Sequence, residues 1–299
     1  MAQILSGTLL SKTMRAEMTE EVASLKAQHH LTPGLAVVLV GDDPASLSYI
    51  KGKRKACADI GLFSVEHTLT AQQPESDLLD LIDRLNSDPA IHGILVQLPL
   101  PKGFREQNVL NAISPDKDVD GLHPINLGRL MRGEEGFLPC TPHGVQQILK
   151  RGGFEVAGKH VVVVGRSTLV GRPLANMLSQ KADGANATVT LCHTGTRDLG
   201  RFTRQADILV VVTGYPNTIT ADMVKEGCVV IDVGVNRIDD ATTKSGHRLI
   251  GDVDFDAVAK VASAITPVPG GVGPMTITML LYNTIWSARR ANGLGRADT

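Results

Sequence analysis

Aromatic residues make up only 3% of this 299-residue chain, with one Trp, three Tyr and six Phe. That scarcity excludes a surface on which successive nucleic-acid bases stack. Four cysteines, Cys57, Cys140, Cys192 and Cys228, stand far apart without paired spacing. Neither a disulfide framework nor a zinc knuckle is expected, and reduced thiols in a cytoplasm fit that usage. An excess of one charge is also missing: 30 basic and 31 acidic residues leave a net charge of -1, which argues against a general nucleic-acid or membrane surface. No stretch approaches the ~20 apolar residues of a membrane span. The opening Met-Ala-Gln-Ile-Leu-Ser-Gly has no basic segment followed by a long apolar one. The expectation is a soluble, unprocessed protein that acts on a small ligand and has room for two medium domains.

What is present is an alternation of apolar strands and amphipathic helices. Met14, Met18, Val22 and Leu25 recur at helical spacing behind Ser11, which is expected to cap that helix. Leu35 to Val40 is a continuous apolar run of the kind buried parallel strands require. Further strands are expected over Phe63 to Leu69 and Ile91 to Leu98, with a helix from Glu75 to Asn86 between them. The fold class is therefore α/β with a parallel sheet, built from right-handed crossover units.

Between the first strand and Gly61 lies Ser46-Leu-Ser-Tyr-Ile-Lys-Gly-Lys53, which puts Tyr49 and Lys53 on one helical face. A phenol beside an ammonium at the carboxyl end of a strand suits a reaction centre, although Lys51, Arg54 and Lys55 also make a solvated charge run. Gln97 ends the third strand, either as a ligand group or as an edge polar residue. Asp116, Asp118 and Asp120 alternate as in a calcium loop, but no acidic ligand follows Gly121 at the distance an EF-hand needs. A turn with solvated carboxylates and a ligand-binding carboxylate both remain open there. In Pro139-Cys-Thr-Pro142, Thr141 is expected as an N-cap.

The second half opens with the strand Lys159 to Gly165, which runs into Arg166-Ser-Thr-Leu-Val-Gly171 and a helix. Gly165 and Gly171 straddle a strand-to-helix turn where amides and the helix dipole can hold a phosphate, with Ser167 in place of the usual middle glycine. The next strand ends in His193-Thr194 rather than an acidic residue. A 2′-phosphate would not be repelled there, and Arg166 or Arg197 could pair with it, which favours NADP over NAD. Two more strands end in Thr213-Gly214 and Val233-Gly234. The stiff loop from Pro269 through Gly270 and Gly273 precedes an apolar helix that must pack on something, expected to be the first domain.

Taken in order, Tyr49-x-x-x-Lys53, Gln97-Leu-Pro-Leu-Pro101, Asp116-Lys-Asp-Val-Asp-Gly121, Pro139-Cys-Thr-Pro142, Gly165-Arg-Ser-x-x-Val-Gly-Arg-Pro173 and Pro269-Gly-Gly-Val-Gly-Pro-Met-Thr276 resemble the bifunctional methylenetetrahydrofolate dehydrogenase/cyclohydrolase family. A short-chain dehydrogenase also uses Tyr-x-x-x-Lys, but carries it after the nucleotide glycines, the reverse of the order here. The resemblance implies two domains with a cleft between them: residues 1–140 with 270–299 for folate and catalysis, and a Rossmann-like, NADP-binding 141–269. It implies oxidation of 5,10-methylenetetrahydrofolate with NADP, then hydrolysis of the methenyl product to 10-formyltetrahydrofolate, by a cytoplasmic homodimer in one-carbon metabolism.

Carried over residue by residue, Lys53 looks like the catalytic lysine and Gln97 its hydrogen-bonding partner. Tyr49 looks like the ring that stacks on the substrate, and Asp120 like the pterin anchor. Pro269, Gly270 and Gly273 would complete the folate site. Gly165, Arg166, Ser167, Gly171, His193, Thr194, Thr213, Gly214 and Val235 would bind the cofactor. Thr194 stands where the family has serine and keeps a hydroxyl.

Overall fold

The computed structural model describes residues 2–243 and 246–295, apart from the side chains of Pro44, Ala45, Ser46 and Ser48. Strand β1 (Gln3–Ile4) and helix α1 (Gly7–His29) come first, followed by β2 (Gly34–Val40), α2 (Pro44–Ile60), β3 (Phe63–Leu69), α3 (Glu75–Ser87) and β4 (Gly93–Val96). Helices α4 (Glu106–Ala112), α5 (Pro124–Arg132) and α6 (Cys140–Arg151) lead to β5 (His160–Val164), α7 (Gly171–Ser179), β6 (Thr188–Cys192), α8 (Leu199–Thr203), β7 (Ile208–Val211) and β8 (Val229–Asp232). The hairpin β9 (Asn236–Asp239) and β10 (His247–Ile250), the short α9 (Phe255–Val258), β11 (Ala264–Ile265) and the long α10 (Val272–Ala291) complete the order.

These elements form two compact units, residues 13–140 with those from 277 on, and residues 1–12 with 141–276. The first holds a parallel three-stranded sheet in the order β3-β2-β4. Its middle strand is buried along its whole length, which is why Leu35 to Val40 reads as an unbroken apolar run. Ala36, Val38 and Val40 cluster with Leu78, Ile82 and Leu85 of α3 and Val109 of α4. Each large apolar side chain taken out of water contributes about 1.5–3 kcal/mol, so the carboxyl end of β2, where α2 begins, sits on a rigid base.

Helix α1 begins at Gly7, four residues before the expected cap. Ser11 lies inside it, and its Oγ donates to Thr8 O at 3.0 Å. Glycine fits the start because a Cβ at position 7 would come within 1.8 Å of Gly271 O. Met14, Met18, Val22 and Leu25 are buried, as their spacing requires. At the other end of the chain, α10 brings Asn283 and Ser287 to this same unit. Asn283 Nδ2 donates to Val119 O at 2.8 Å, and Ser287 Oγ donates to His92 O at 2.6 Å and Asp116 O at 2.8 Å.

The other unit is a six-stranded sheet, β1-β11-β8-β7-β5-β6, parallel throughout. The strand order turns about β5, with β6 on one side and β7 on the other, which creates the switch point where doubly wound sheets bind ligands. Two boundaries differ from the 1–140 and 270–299 division. Residues 1–12 join this sheet because Gln3 and Ile4 pair with Ala264 and Ile265, and residues 270–276 also lie in this unit.

Candidate active site

Lys53 occupies α2 one turn after Tyr49 and is buried, whereas Tyr49 is 42% exposed. An aliphatic stem places a lysine inside a fold cheaply, but the ammonium needs a partner. Gln97 supplies it: Lys53 Nζ donates to Gln97 Oε1 at 2.8 Å. The amide cannot turn round, because Gln97 Nε2 donates to Leu98 O at 2.7 Å, and a carbonyl oxygen can only accept. Burial pulls the Lys53 pKa below its ordinary value, and the negative charge of Asp120 offsets part of that fall. Burial likewise raises the Asp120 carboxyl, and Lys53 opposes that rise. The outcome is an amine that loses its proton more readily than a surface lysine, held by an uncharged acceptor that accepts from either protonation state. Ser46, whose role the sequence left open, lies outside the described side chains.

The three alternating aspartates do not converge on one ion. Asp116 is exposed and pairs with Arg290 at 3.2 Å. Asp118 is buried and accepts from Leu122 N, His123 N and Asn126 Nδ2 at 3.2, 2.9 and 2.8 Å, and burial pushes its carboxyl up to about 7. It folds the loop; Asp120 alone faces Lys53. Gly121, at φ 74°, is required there because a Cβ would lie 2.6 Å from Leu138 C and Pro139 N. Among the described residues no cluster of three His, Cys, Asp or Glu could hold a metal ion. Cys140, also buried, reaches Asp120 with its thiol and starts α6, so the helix begins one residue before the expected Thr141 cap. Thr141 Oγ1 instead meets Thr276 Oγ1 at 3.0 Å.

In the second unit, Gly165 and Gly171 close the turn between β5 and α7. A Cβ on Gly165 would come 2.1 Å from Val212 O, and one on Gly171 would come 1.9 Å from Gly165 O. The turn therefore brings bare backbone to the amino end of α7, and Arg166 and Ser167 are exposed on it, a cradle that fits a dinucleotide phosphate. Ser167 Oγ accepts from Val170 N at 3.1 Å and keeps its O–H to donate. At the end of β6, His193 Nδ1 accepts from Gly195 N at 3.0 Å, and Thr194 and Arg197 are exposed. The carboxylate that follows them, Asp198, accepts from Arg201 N at 3.3 Å as the cap of α8. Thr213 and Gly214 follow the end of β7, and the exposed Val235 follows β8. Pro269, Gly270 and Gly273 lie between β11 and the first turn of α10 in this unit, where Thr8 N donates to Gly270 O at 3.0 Å. A cavity of about 620 Å³ lined by Lys150, Phe154, Lys181 and Asp183 holds none of these residues.

Fold and turn together define a nucleotide-dependent α/β enzyme built of two units. Similarity narrows the class. Residues 5–120 match the tetrahydrofolate dehydrogenase/cyclohydrolase catalytic domain, and residues 139–292 match the NAD(P)-binding domain of the same family. The chain is 59% identical over 294 residues to the bifunctional protein FolD of Dehalococcoides mccartyi, covering 98% of this chain and 99% of that one. Its structure is similar to that of the bifunctional enzyme FolD from Campylobacter jejuni, with TM-score 0.91, 48% identity, and 97% and 99% of the two chains covered. It is also similar to the Trypanosoma brucei methylenetetrahydrofolate dehydrogenase-cyclohydrolase complexed with NADP cofactor and inhibitor, with TM-score 0.92, 39% identity, and 97% and 98% covered. The chain belongs to the tetrahydrofolate dehydrogenase/cyclohydrolase family.

Proposed function

We propose that this protein oxidises 5,10-methylenetetrahydrofolate with NADP and hydrolyses the resulting 5,10-methenyl cation to 10-formyltetrahydrofolate. The observation that carries the reading is the buried Lys53 held by the oriented amide of Gln97. NADP, when bound, supplies the acceptor for the hydride. Loss of hydride leaves a positive amidinium carbon, which water attacks. Lys53 in its neutral form takes a proton from that water and returns it to N5 as the carbon–nitrogen bond breaks, while the hydroxyl proton leaves to solvent. One proton is released overall. Asp120 accepts two parallel N–H bonds from the pterin, and Tyr49 stacks on the aminobenzoate ring. Pro269, Gly270 and Gly273 belong to the folate site in the same proposal. Gly165, Arg166, Ser167, Gly171, His193, Thr194, Thr213, Gly214 and Val235 are assigned to the cofactor. Their position after the carboxyl ends of β5, β6, β7 and β8, at and beside the switch point, supports that assignment. A cytoplasmic homodimer is part of the same proposal. The family resemblance supports it, and four cysteines that are all free and buried fit a reducing compartment.

The neutral partner makes a pH prediction. Gln97→Glu places a carboxylate against Nζ, stabilises the ammonium, and raises the Lys53 pKa by roughly 1–3 units. The rising limb of hydrolysis against pH should move upward by that amount, and the rate at pH 7 should fall about ten-fold or more. An unmoved limb would count against Lys53 as the base.

The cofactor preference is tested by the rate of nucleotide reduction with 5,10-methylenetetrahydrofolate and either coenzyme. NADP should be the better substrate, and Arg166→Ala should weaken NADP more than NAD, because only the 2′-phosphate loses its partner. Equal losses would remove Arg166 from the phosphate site.

A further inference from the structure

Two buried carboxylates near the carboxyl ends of β7 and β8 take no part in the chemistry above. Asp232, the last residue of β8, accepts from Gly234 N, Asp252 N and Val253 N, each at 3.0 Å. Asp252, with no exposed surface, accepts from Thr213 N at 2.5 Å and Gly214 N at 2.9 Å through Oδ2, and from Asn236 Nδ2 at 2.8 Å through Oδ1. The donors that hold both are amides rather than cations. A charge buried in this way is costly unless its bonds fix something that matters; burial pushes the Asp232 carboxyl up to about 6. The chain makes room for both groups. A Cβ on Gly234 would lie 2.1 Å from Asp252 Cγ, and one on Gly251 would lie 1.8 Å from Asp232 Oδ2.

We infer that Asp252 is a positioning residue for dinucleotide binding, which fixes the Thr213-Gly214 turn through its two backbone amides while Asp232 fixes Asp252. This rests on the assignment of Thr213 and Gly214 to the cofactor. The relay runs in one direction through the fold: the side chain at the end of β8 anchors the backbone of residues 252 and 253, and the side chain of 252 anchors the backbone at the end of β7. Gly214 sits at φ 73°, and a Cβ there would meet nothing within 4 Å. The turn also braces itself through Thr213 Oγ1, which accepts from Tyr215 N at 3.3 Å and meets Thr218 Oγ1 at 3.1 Å, but the backbone amides of Thr213 and Gly214 are held by the Asp252 carboxylate. Charge-assisted bonds to the two amides are about twice as strong as neutral ones, so a graded series of substitutions reads the effect.

The test measures KM for NADP in oxidation, kcat at saturating NADP, and hydrolysis of 5,10-methenyltetrahydrofolate without nucleotide, all on the full-length protein. Asp252→Ala should raise KM for NADP about ten-fold or more and leave nucleotide-free hydrolysis within about two-fold, because the bonds it loses, to Thr213 N, Gly214 N and Asn236 Nδ2, all lie in the nucleotide unit. Asp252→Asn, which keeps an acceptor without the charge, should raise KM about three-fold. Gly214→Val tests the turn itself. If it leaves KM for NADP unchanged, the cofactor assignment of the turn fails and the inference fails with it. If it raises KM while Asp252→Ala and Asp252→Asn do not, the assignment stands and the positioning role is overturned. Hydrolysis falling in step with nucleotide use in Asp252→Ala would also overturn it, as the mark of a general structural defect. If Asp252→Ala does not fold, Asp252→Asn and Asn236→Ala carry the test, and unchanged KM in both overturns the role.

Discussion

Lys53→Met is expected to lower hydrolysis of the methenyl compound by about 10²–10⁴-fold, the usual contribution of a positioned acid–base group, while NADP binding is retained. The residue is buried, and methionine fills similar volume with an unbranched, adaptable chain. An ammonium that burial already disfavours is removed, so the fold should hold. The substitution leaves Gln97 Oε1 and Asp120 without their cation, and burial then raises the Asp120 carboxyl with only the Cys140 thiol to oppose it. Folate affinity should therefore weaken as well as turnover. The check is the rate of methenyl decay without nucleotide, beside NADP binding by fluorescence. Hydrolysis near the wild-type rate would remove Lys53 from the chemistry.

Asp120→Ala is expected to act on both reactions at once. Hydrogen bonds to a charged group contribute about 1.5–3 kcal/mol, so the folate KM should rise about 10- to 150-fold in oxidation and in hydrolysis alike, with KM for NADP unchanged. A second consequence separates this carboxylate from a mere contact. Asp120 raises the pKa of Lys53, so its removal lets burial pull that pKa lower still. The alkaline-rising limb of hydrolysis should move to lower pH, opposite in sign to the shift for Gln97→Glu. Steady-state folate kinetics across pH decide the matter, and unchanged folate KM with an unmoved limb would reject Asp120 as anchor.

The strands and most helices were legible because burial on both faces leaves continuous apolar runs such as Leu35 to Val40, and burial on one face leaves the spacing of Met14, Met18, Val22 and Leu25. Ends were harder. The two-residue strand at Gln3 and Ile4 carries no period to read, and it takes the first twelve residues into the nucleotide unit. The start of α1 at Gly7 is set by a close approach to Gly271, more than two hundred and fifty residues on. At the site, helical spacing pointed to Tyr49 and Lys53. The meeting of Lys53 with Gln97, 44 residues later, came only through family resemblance, since no local pattern encodes a hydrogen bond between a helix and the end of a distant strand. Of the alternating aspartates, the family resemblance singled out Asp120, whereas only three dimensions show that Asp116 is exposed and Asp118 folds the loop. Asn283, Asp232 and Asp252 carry no local signal, because a polar residue in an apolar helix or near a strand end does not reveal from sequence which backbone it will hold.

The most direct measurement is an absorbance time course of the wild-type protein with 5,10-methylenetetrahydrofolate and NADP, followed simultaneously for reduced nucleotide and for the methenyl compound. The expected result is reduced nucleotide accumulating in step with folate oxidation, while the methenyl signal rises and then decays faster than it does without protein. Reduced nucleotide failing to form, or a methenyl signal that decays no faster than in buffer, would contradict a single protein carrying both steps.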